Sequence, residues 1–93
     1  PVCMISSPPD RATVRNRITV TGTALAGSSP LRFVEVRLDG GYWLPVSGLE
    51  QWQFGIDTRA LKNGAHRLEA RAGDGLRYSN GPCTGLDVRF TTN

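Results

Sequence analysis

The chain is short of the residues from which most catalytic, metal and nucleic-acid sites are built. Its 93 residues include one histidine, two cysteines and a single lysine among eleven basic residues. No apolar run approaches the roughly 18 residues that a membrane span needs, so we expect no membrane span. With 39% hydrophobic and 20% charged residues, the composition excludes the disordered class and favours one domain over residues 1–93.

The motifs that the sequence lacks reduce the number of functions it could have. The chain opens at Pro1, with neither an initiator methionine nor a signal peptide, so we expect it to be excerpted from a larger chain. The basic residues are scattered between Arg11 and Arg89 with acids among them, which disfavours a nucleic-acid partner. There is no Gly-x-Ser-x-Gly elbow and only His66 for acid–base chemistry. We therefore expect neither an enzyme nor a cofactor.

Apolar residues recur with period two rather than 3.6, which predicts an all-β chain. Five runs alternate in this way, namely 17–25, 32–38, 52–56, 65–72 and 86–92, and a first strand is expected over 2–6. Nothing sustains a helical period, and Thr58 to Lys62 offers at most one turn. The predicted core consists of the inward residues Ile18, Val20, Val34, Val36, Leu38, Trp52, Phe54, His66, Leu68 and Val88.

Glycine turns punctuate these strands. Asp39-Gly40-Gly41 and Asn63-Gly64 suit hairpins whose backbone needs positive φ. Ser7-Pro8-Pro9-Asp10 separates the first strand from the second, and Asp74-Gly75 opens a longer loop that runs from Gly73 to Gly85. Strand spacing of this kind is typical of a sandwich.

The order of these motifs resembles bacterial immunoglobulin-like domains of secreted and cell-surface proteins. The resemblance rests on Ile18-Thr-Val-Thr-Gly22, on Val34-Glu-Val-Arg-Leu-Asp39-Gly-Gly, and on Asp57-Thr-Arg-Ala-Leu61-Lys-Asn-Gly64-Ala-His66. It extends over about residues 3–92 and implies an immunoglobulin-like antiparallel β-sandwich of about seven strands. Strands 32–38, 65–72 and 86–92 should then be neighbours. Their outward residues Glu35, Arg37, Arg67, Glu69, Arg71, Asp87 and Arg89 should form one mixed-charge face.

The same resemblance bears on the two cysteines. First and last strands of this architecture run close together, so a Cys3–Cys83 disulfide is expected, with two free thiols as the alternative. Such a bridge would imply an oxidising compartment, here the cell exterior or the cell envelope. Two cysteines and one distant histidine do not make a zinc set, and no metal site is expected.

Three other groups have competing interpretations. His66 is read as a packed residue whose ring nitrogen satisfies a loop carbonyl, and the turn aspartates as turn formers rather than calcium ligands. The latter are Asp39, Asp57 and Asp74. Tyr42 and Trp43 follow the Asp39 hairpin on one strand and should point to opposite sides. With Tyr78 they are the candidates for an exposed sugar-stacking platform.

The expected function is that of a non-catalytic accessory or spacer module whose partners are neighbouring domains of the same polypeptide. One alternative is a polysaccharide- or surface-binding module that uses the exposed aromatics. Another is a dimerisation domain of an oxidoreductase, because Val34 to Trp43 also approximates a stretch of the immunoglobulin-like domain of molybdopterin sulfite-oxidising enzymes, one residue short before the tryptophan.

Overall fold

The computed structural model describes residues 2–27, 29–75 and 84–91. Within them the secondary structure is nine strands and one 3₁₀ turn, Thr58–Ala60. The strands are β1 Val2–Ser7, β2 Thr13–Arg15, β3 Arg17–Leu25, β4 Phe33–Leu38, β5 Leu44–Pro45, β6 Ser47–Gly48, β7 Gln51–Asp57, β8 Gly64–Gly73 and β9 Thr84–Thr91. No helix in this part of the chain is long and apolar enough to cross a membrane.

The strands form two sheets that pack face to face. Sheet A has the order β1-β3-β7-β6 and sheet B has the order β2-β9-β8-β4-β5. All neighbours are antiparallel except β2 and β9, which run parallel. This confirms the predicted all-β sandwich, and the three strands expected to be neighbours, β4, β8 and β9, lie side by side in sheet B.

The N-terminal segment changes sheets, which the sequence pattern did not show. β1 pairs with β3 in sheet A. β2, which begins eleven residues after the start of β1, pairs with β9 in sheet B. The change occurs across Pro8 and Pro9, where the missing N–H groups interrupt a sheet ladder. Ser7–Pro8 is a cis peptide, and Arg11 has a left-handed φ of 66°.

One of the two predicted hairpin turns is present and the other is not. Asp39 and Gly40 have φ of 54° and 70°, and the Gly41 N–H donates to the Leu38 carbonyl across 3.0 Å. This turn joins β4 to β5. The hairpin predicted at Asn63-Gly64 is wrong, because the strands before and after it, β7 and β8, belong to different sheets.

Among the residues that the structure describes, the buried core lies between the sheets and consists of aliphatic side chains, Cys3 and two aromatic side chains. Of the ten residues expected there, six are buried: Val20, Val34, Val36, Trp52, Leu68 and Val88. Three more, Ile18, Leu38 and Phe54, are half-buried against that core. The fully buried Phe90 was not among the expected residues, although it shares the face of Val88 on β9.

The two ends of the described chain lie at opposite ends of the sandwich. Val2 pairs with Leu25 at the C-terminal end of β3. Thr91 pairs with Arg15, which lies just before the start of β3. The molecule measures 45 × 20 × 19 Å along its principal axes. We call the two ends the Val2 end and the Thr91 end.

Candidate functional site

The outer face of sheet B carries a ladder of ion pairs across β4, β8 and β9. Arg37 Nε donates to Glu69 Oε1 at 2.9 Å, and Arg71 Nη2 lies 2.8 Å from Glu35 Oε1. A weaker pair joins β8 to β9, where Arg67 Nη1 lies 3.3 Å from Asp87 Oδ1. The first two pairs join residues directly opposite each other in the β4–β8 register. We call this surface the charged face.

Trp43 lies on the charged face. The guanidinium carbons of Arg37 and Arg71 are 4.5 Å and 4.4 Å from the centroid of its ring. Both distances are within the range of a cation–π interaction. The half-buried Trp43 therefore covers two arginines that are already paired with carboxylates. Nothing in the local sequence pattern showed this contact, since Trp43 and Arg71 are far apart in the chain.

The predicted placement of the neighbouring aromatics needs correction. Tyr42 and Trp43 do not lie on a strand, because the turn after β4 continues to Gly41 and β5 begins only at Leu44. Tyr42 is 92% exposed, whereas Trp43 packs on the arginines. Tyr78, the third candidate for a sugar platform, lies outside the described residues. Of the two platform candidates that the structure describes, Tyr42 is the one with an exposed ring.

Beside Tyr42, an apolar groove of about 570 Å³ opens between the sheets at the Thr91 end. Its walls include Leu38 and Leu68 from sheet B and Phe54 from sheet A. Leu44 and Leu61, both partly exposed, lie at its rim. The groove exists because β5 and β6, the edge strands on this side, are only two residues long and do not close the sandwich.

His66 links two loops that border this groove. Its Nδ1 lies 2.6 Å from Asp39 Oδ2, in the β4–β5 turn, and its Nε2 lies 2.7 Å from the Lys62 carbonyl oxygen, just before β8. The ring stacks on Phe90 with centroids 4.2 Å apart, and the side chain is 10% exposed. The ring thus packs in the manner expected for a structural histidine, with an aspartate as a second partner that the sequence did not show.

The electrostatics of His66 favour its charged form. Burial is the largest single influence and lowers its pKa, but three other influences outweigh it. These are the hydrogen bond to the Lys62 carbonyl, the hydrogen bond to Asp39, and the negative charge of Asp39. The pKa of His66 is therefore raised above its ordinary value.

The turn aspartates have partners within the protein. Asp57 caps the 3₁₀ turn by accepting from the Arg59 backbone N–H at 3.0 Å, and its carboxylate also accepts from the Arg59 guanidinium at 2.9 Å. The side-chain hydrogen bond from Arg59 is the main reason that the pKa of Asp57 is lowered to about 2. Asp39 is engaged by His66 and by the Arg67 backbone N–H. Asp74 is buried. Across residues 2–27, 29–75 and 84–91, no three His, Cys, Asp or Glu side chains converge as metal ligands would.

The expected disulfide stays a prediction. Cys3 is buried in β1, opposite Ala24 of β3, and is 8% exposed. Cys83, its expected partner, lies outside the described residues.

The outer face of sheet A differs from the charged face. Its strands carry charge only at the Thr91 end, at Arg17 and Asp57. Elsewhere the outward side chains are mainly hydroxyls and amides, and they border a shallow cavity of about 510 Å³. The polar lining consists of Ser6, Thr21, Thr23, Ser47, Gln51 and Gln53. We call this surface the uncharged face. The period-two pattern of residues 17–25 indicated its threonines only as the outer side of one strand.

Two packed sheets with this strand order define an immunoglobulin-like β-sandwich. The chain belongs to the bacterial Ig domain family, whose model matches residues 1–70. No curated protein matches the chain.

Solved structures share the fold at low sequence identity. An endo-β-1,4-mannanase from Thermotoga petrophila is 12% identical with a TM-score of 0.83, over 99% of this chain and 20% of that one. The fibronectin(III)-like modules of Clostridium thermocellum CbhA are 15% identical with a TM-score of 0.68, covering 99% and 97% of the two chains. An engineered protein is 22% identical with a TM-score of 0.68, covering 98% and 20%. The chain thus spans about a fifth of the length of two of these three structures.

Proposed function

We propose that the chain is a non-catalytic spacer or accessory module that sets the distance between neighbouring domains of a larger extracellular or cell-envelope protein. The observation that carries this proposal is the placement of Val2 and Thr91 at opposite ends of a body 45 Å long. A polypeptide that enters at one end and leaves at the other keeps its neighbours apart by the length of the sandwich.

The separation is stiff because both terminal strands are hydrogen-bonded into the sheets. β1 is paired with β3 from Val2 to Ser7, and β9 is paired with β8 from Thr84 to Phe90. The core that they cover contains side chains from both sheets. Neither strand can therefore detach without exposing buried side chains such as Phe90.

Membership of the bacterial Ig domain family supports this role and an extracellular location. The structural neighbours add a further argument. The mannanase matches the chain over only a fifth of its own length, so the similar region there is one part of a larger protein.

The decisive test separates a spacer from a binding module in the parent protein. One variant deletes the module, and a second replaces it with an unrelated immunoglobulin-like domain of equal length. A spacer predicts that the deletion impairs the parent's activity and that the replacement restores it. If the replacement is as impaired as the deletion, then this module's own surface is required and the spacer proposal is wrong.

A second candidate function, glycan binding, is favoured by one observation, the 92% exposed ring of Tyr42 beside the apolar groove. Trp43, one residue away, would report a bound sugar by a change in its fluorescence. For a spacer we expect flat titrations with soluble mannans, glucans and xylans. A saturable change that is lost in Tyr42→Ala would instead establish the binding function.

A further inference from the structure

Two loops lie at the mouth of the apolar groove, and the His66 ring is hydrogen-bonded to both of them. Asp39 and Tyr42 of the β4–β5 turn form one side of the groove, and Leu61 forms the other. Nδ1 meets Asp39, and Nε2 meets Lys62, the residue after Leu61. The imidazole therefore connects the two sides of the opening.

The chemistry of the two partners decides which form of the ring makes both bonds. A carboxylate and a backbone carbonyl oxygen can only accept hydrogen bonds, and a neutral imidazole has a single N–H to donate. The imidazolium has two. Both bonds are therefore made together only by the charged ring.

We propose that His66 is a proton-dependent clamp, which in its charged form holds the connection before β8 against the β4–β5 turn and in its neutral form releases that connection, widening the apolar groove.

The connection before β8 is the side that is released. Asp39 keeps other bonds, since its Oδ1 accepts from the Arg67 N–H and its own N–H donates to the Arg67 carbonyl, both at 2.8 Å. A neutral ring therefore keeps its proton on Nδ1, which donates to the Asp39 carboxylate, and has no N–H left on Nε2 to donate to the Lys62 carbonyl. The segment that this carbonyl belongs to is bounded by Leu61, whose N–H donates to the Thr58 carbonyl at 3.1 Å, and by Gly64, which lies opposite Phe90 in the β8–β9 ladder.

Of the charged groups around the His66 ring, Asp39 is the one that favours its protonation, since the others are paired with each other or point away. Asp57, the last residue of β7, pairs with Arg59 of the 3₁₀ turn. From β8, Arg67 projects to the outer face and pairs with Asp87 of β9. β9 presents the uncharged ring of Phe90 to the imidazole, and Lys62 approaches it through its carbonyl.

The direction of the pH dependence follows from the raised pKa of His66. A group whose pKa is higher in the folded state stabilises that state fully at pH values below its unfolded pKa of about 6.5. This contribution is lost as the pH rises through the folded pKa. The clamp is thus closed in mildly acidic solution and open in alkaline solution.

The chain has one histidine, so its ring can be followed without ambiguity by ¹⁵N NMR between pH 5 and pH 9. We expect both ring nitrogens to be protonated at the acidic limit, a midpoint above 6.5, and a proton retained on Nδ1 at the alkaline limit. Over the same range, the protection factor of the Leu61 amide against hydrogen exchange should fall about tenfold. That of the Phe54 amide, in the β3–β7 ladder, should stay constant.

Two variants complete the test. His66→Gln should abolish the pH step at Leu61. Lys62→Gln, the control, removes a charge but keeps the carbonyl, so the step should remain. A midpoint at or below 6.5 overturns the proposal, and so does a Leu61 step that persists in His66→Gln. The ring titration and the Leu61 exchange in the unaltered chain decide the matter even where a variant folds poorly.

Discussion

Sheets A and B fix their strand register by different means. In sheet B the determinants are charges on the outer face, where Glu35 lies opposite Arg71 and Arg37 opposite Glu69. A slip of two residues between β4 and β8 would keep every side chain on its own face but would place Glu35 opposite Glu69. Like charges directly opposite each other are unfavourable, so the charged face excludes this alternative pairing.

In sheet A the determinant is shape on the inner face. Trp52 of β7 lies opposite Gly22 of β3, and its ring occupies the space that a side chain at that position would need. A slip of two residues would bring Trp52 opposite Val20 or Ala24, where a Cβ is present. The uncharged face needs no charge pattern because steric fit on the other side already selects the register. Sheet A should therefore be sensitive to added volume, and sheet B to altered charge.

The largest effect should come from the predicted disulfide between Cys3 and Cys83. A Cys3–Cys83 bridge would close a loop of about 80 residues, which in the chain-entropy model stabilises by about 4 kcal/mol. Reduction should lower the free energy of unfolding in urea by about that amount. Alkylation in denaturant should label both thiols only after reduction, as intact mass will show. Labelling of both without a reductant would mean that the two cysteines are free thiols.

The next largest effect tests shape in sheet A. A Cβ added at Gly22 would overlap the Trp52 ring and the Met4 carbonyl oxygen. The Met4 carbonyl is part of the backbone and cannot move aside without disturbing β1. Gly22→Ala should therefore lower the free energy of unfolding by about 3 kcal/mol, at the upper end for overpacking. The control is Gly55→Ala in the neighbouring strand β7, where a Cβ would have nothing within 4 Å. It should be neutral or slightly stabilising in the same urea titration. Equal losses for the two variants would contradict the steric account.

A smaller effect is expected for the corresponding pair in sheet B. Gly73 of β8 lies opposite Phe33 of β4, and a Cβ there would also overlap an aromatic ring. This pair is on the outer face, where the Phe33 ring is half-buried and is not enclosed by the core as Trp52 is. Gly73→Ala should therefore cost about 1 kcal/mol, well below Gly22→Ala. A loss as large as that of Gly22→Ala would show that the outer face of sheet B is as tightly packed as the core.

Features that depend on repeated local pattern could be predicted from the sequence. The alternation of Ile18, Val20 and Ala24 with threonines identified β3, and the same rule located β4, β7, β8 and β9 within two residues. The mixed charge of one surface followed from that alternation together with the strand adjacency that the family resemblance implies. β2 was missed because three residues, Thr13–Arg15, are too short to show a period.

Contacts between residues distant in the chain could not be predicted in this way. Trp43 meets Arg37 and Arg71 only because the β4–β5 turn folds back over sheet B. His66 meets Asp39 because that same turn lies beside the start of β8, and no spacing in the sequence records it. The apolar groove likewise results from the shortness of β5 and β6.

The smallest predicted effect separates charge from shape directly. Two double-mutant cycles are needed. One combines Arg37→Gln with Glu69→Gln on the charged face, and the other combines Thr21→Ala with Gln53→Ala on the uncharged face. The two residues of each pair lie directly opposite each other. The Arg37–Glu69 side chains are 27% and 16% exposed, so we expect a coupling of about 0.5–1 kcal/mol. For Thr21–Gln53 we expect about 0.2 kcal/mol.

Salt distinguishes the two couplings. At about 1 M NaCl the Debye length falls to about 3 Å, so the Arg37–Glu69 coupling should shrink while that of Thr21–Gln53 stays unchanged. Because each cycle subtracts the single-variant effects, the loss of the Arg37–Trp43 contact cancels from the coupling. A coupling that is equal on the two faces and indifferent to salt would remove the electrostatic basis for register in sheet B. Register in both sheets would then rest on the fit of Trp52 to Gly22 and of Phe33 to Gly73 alone.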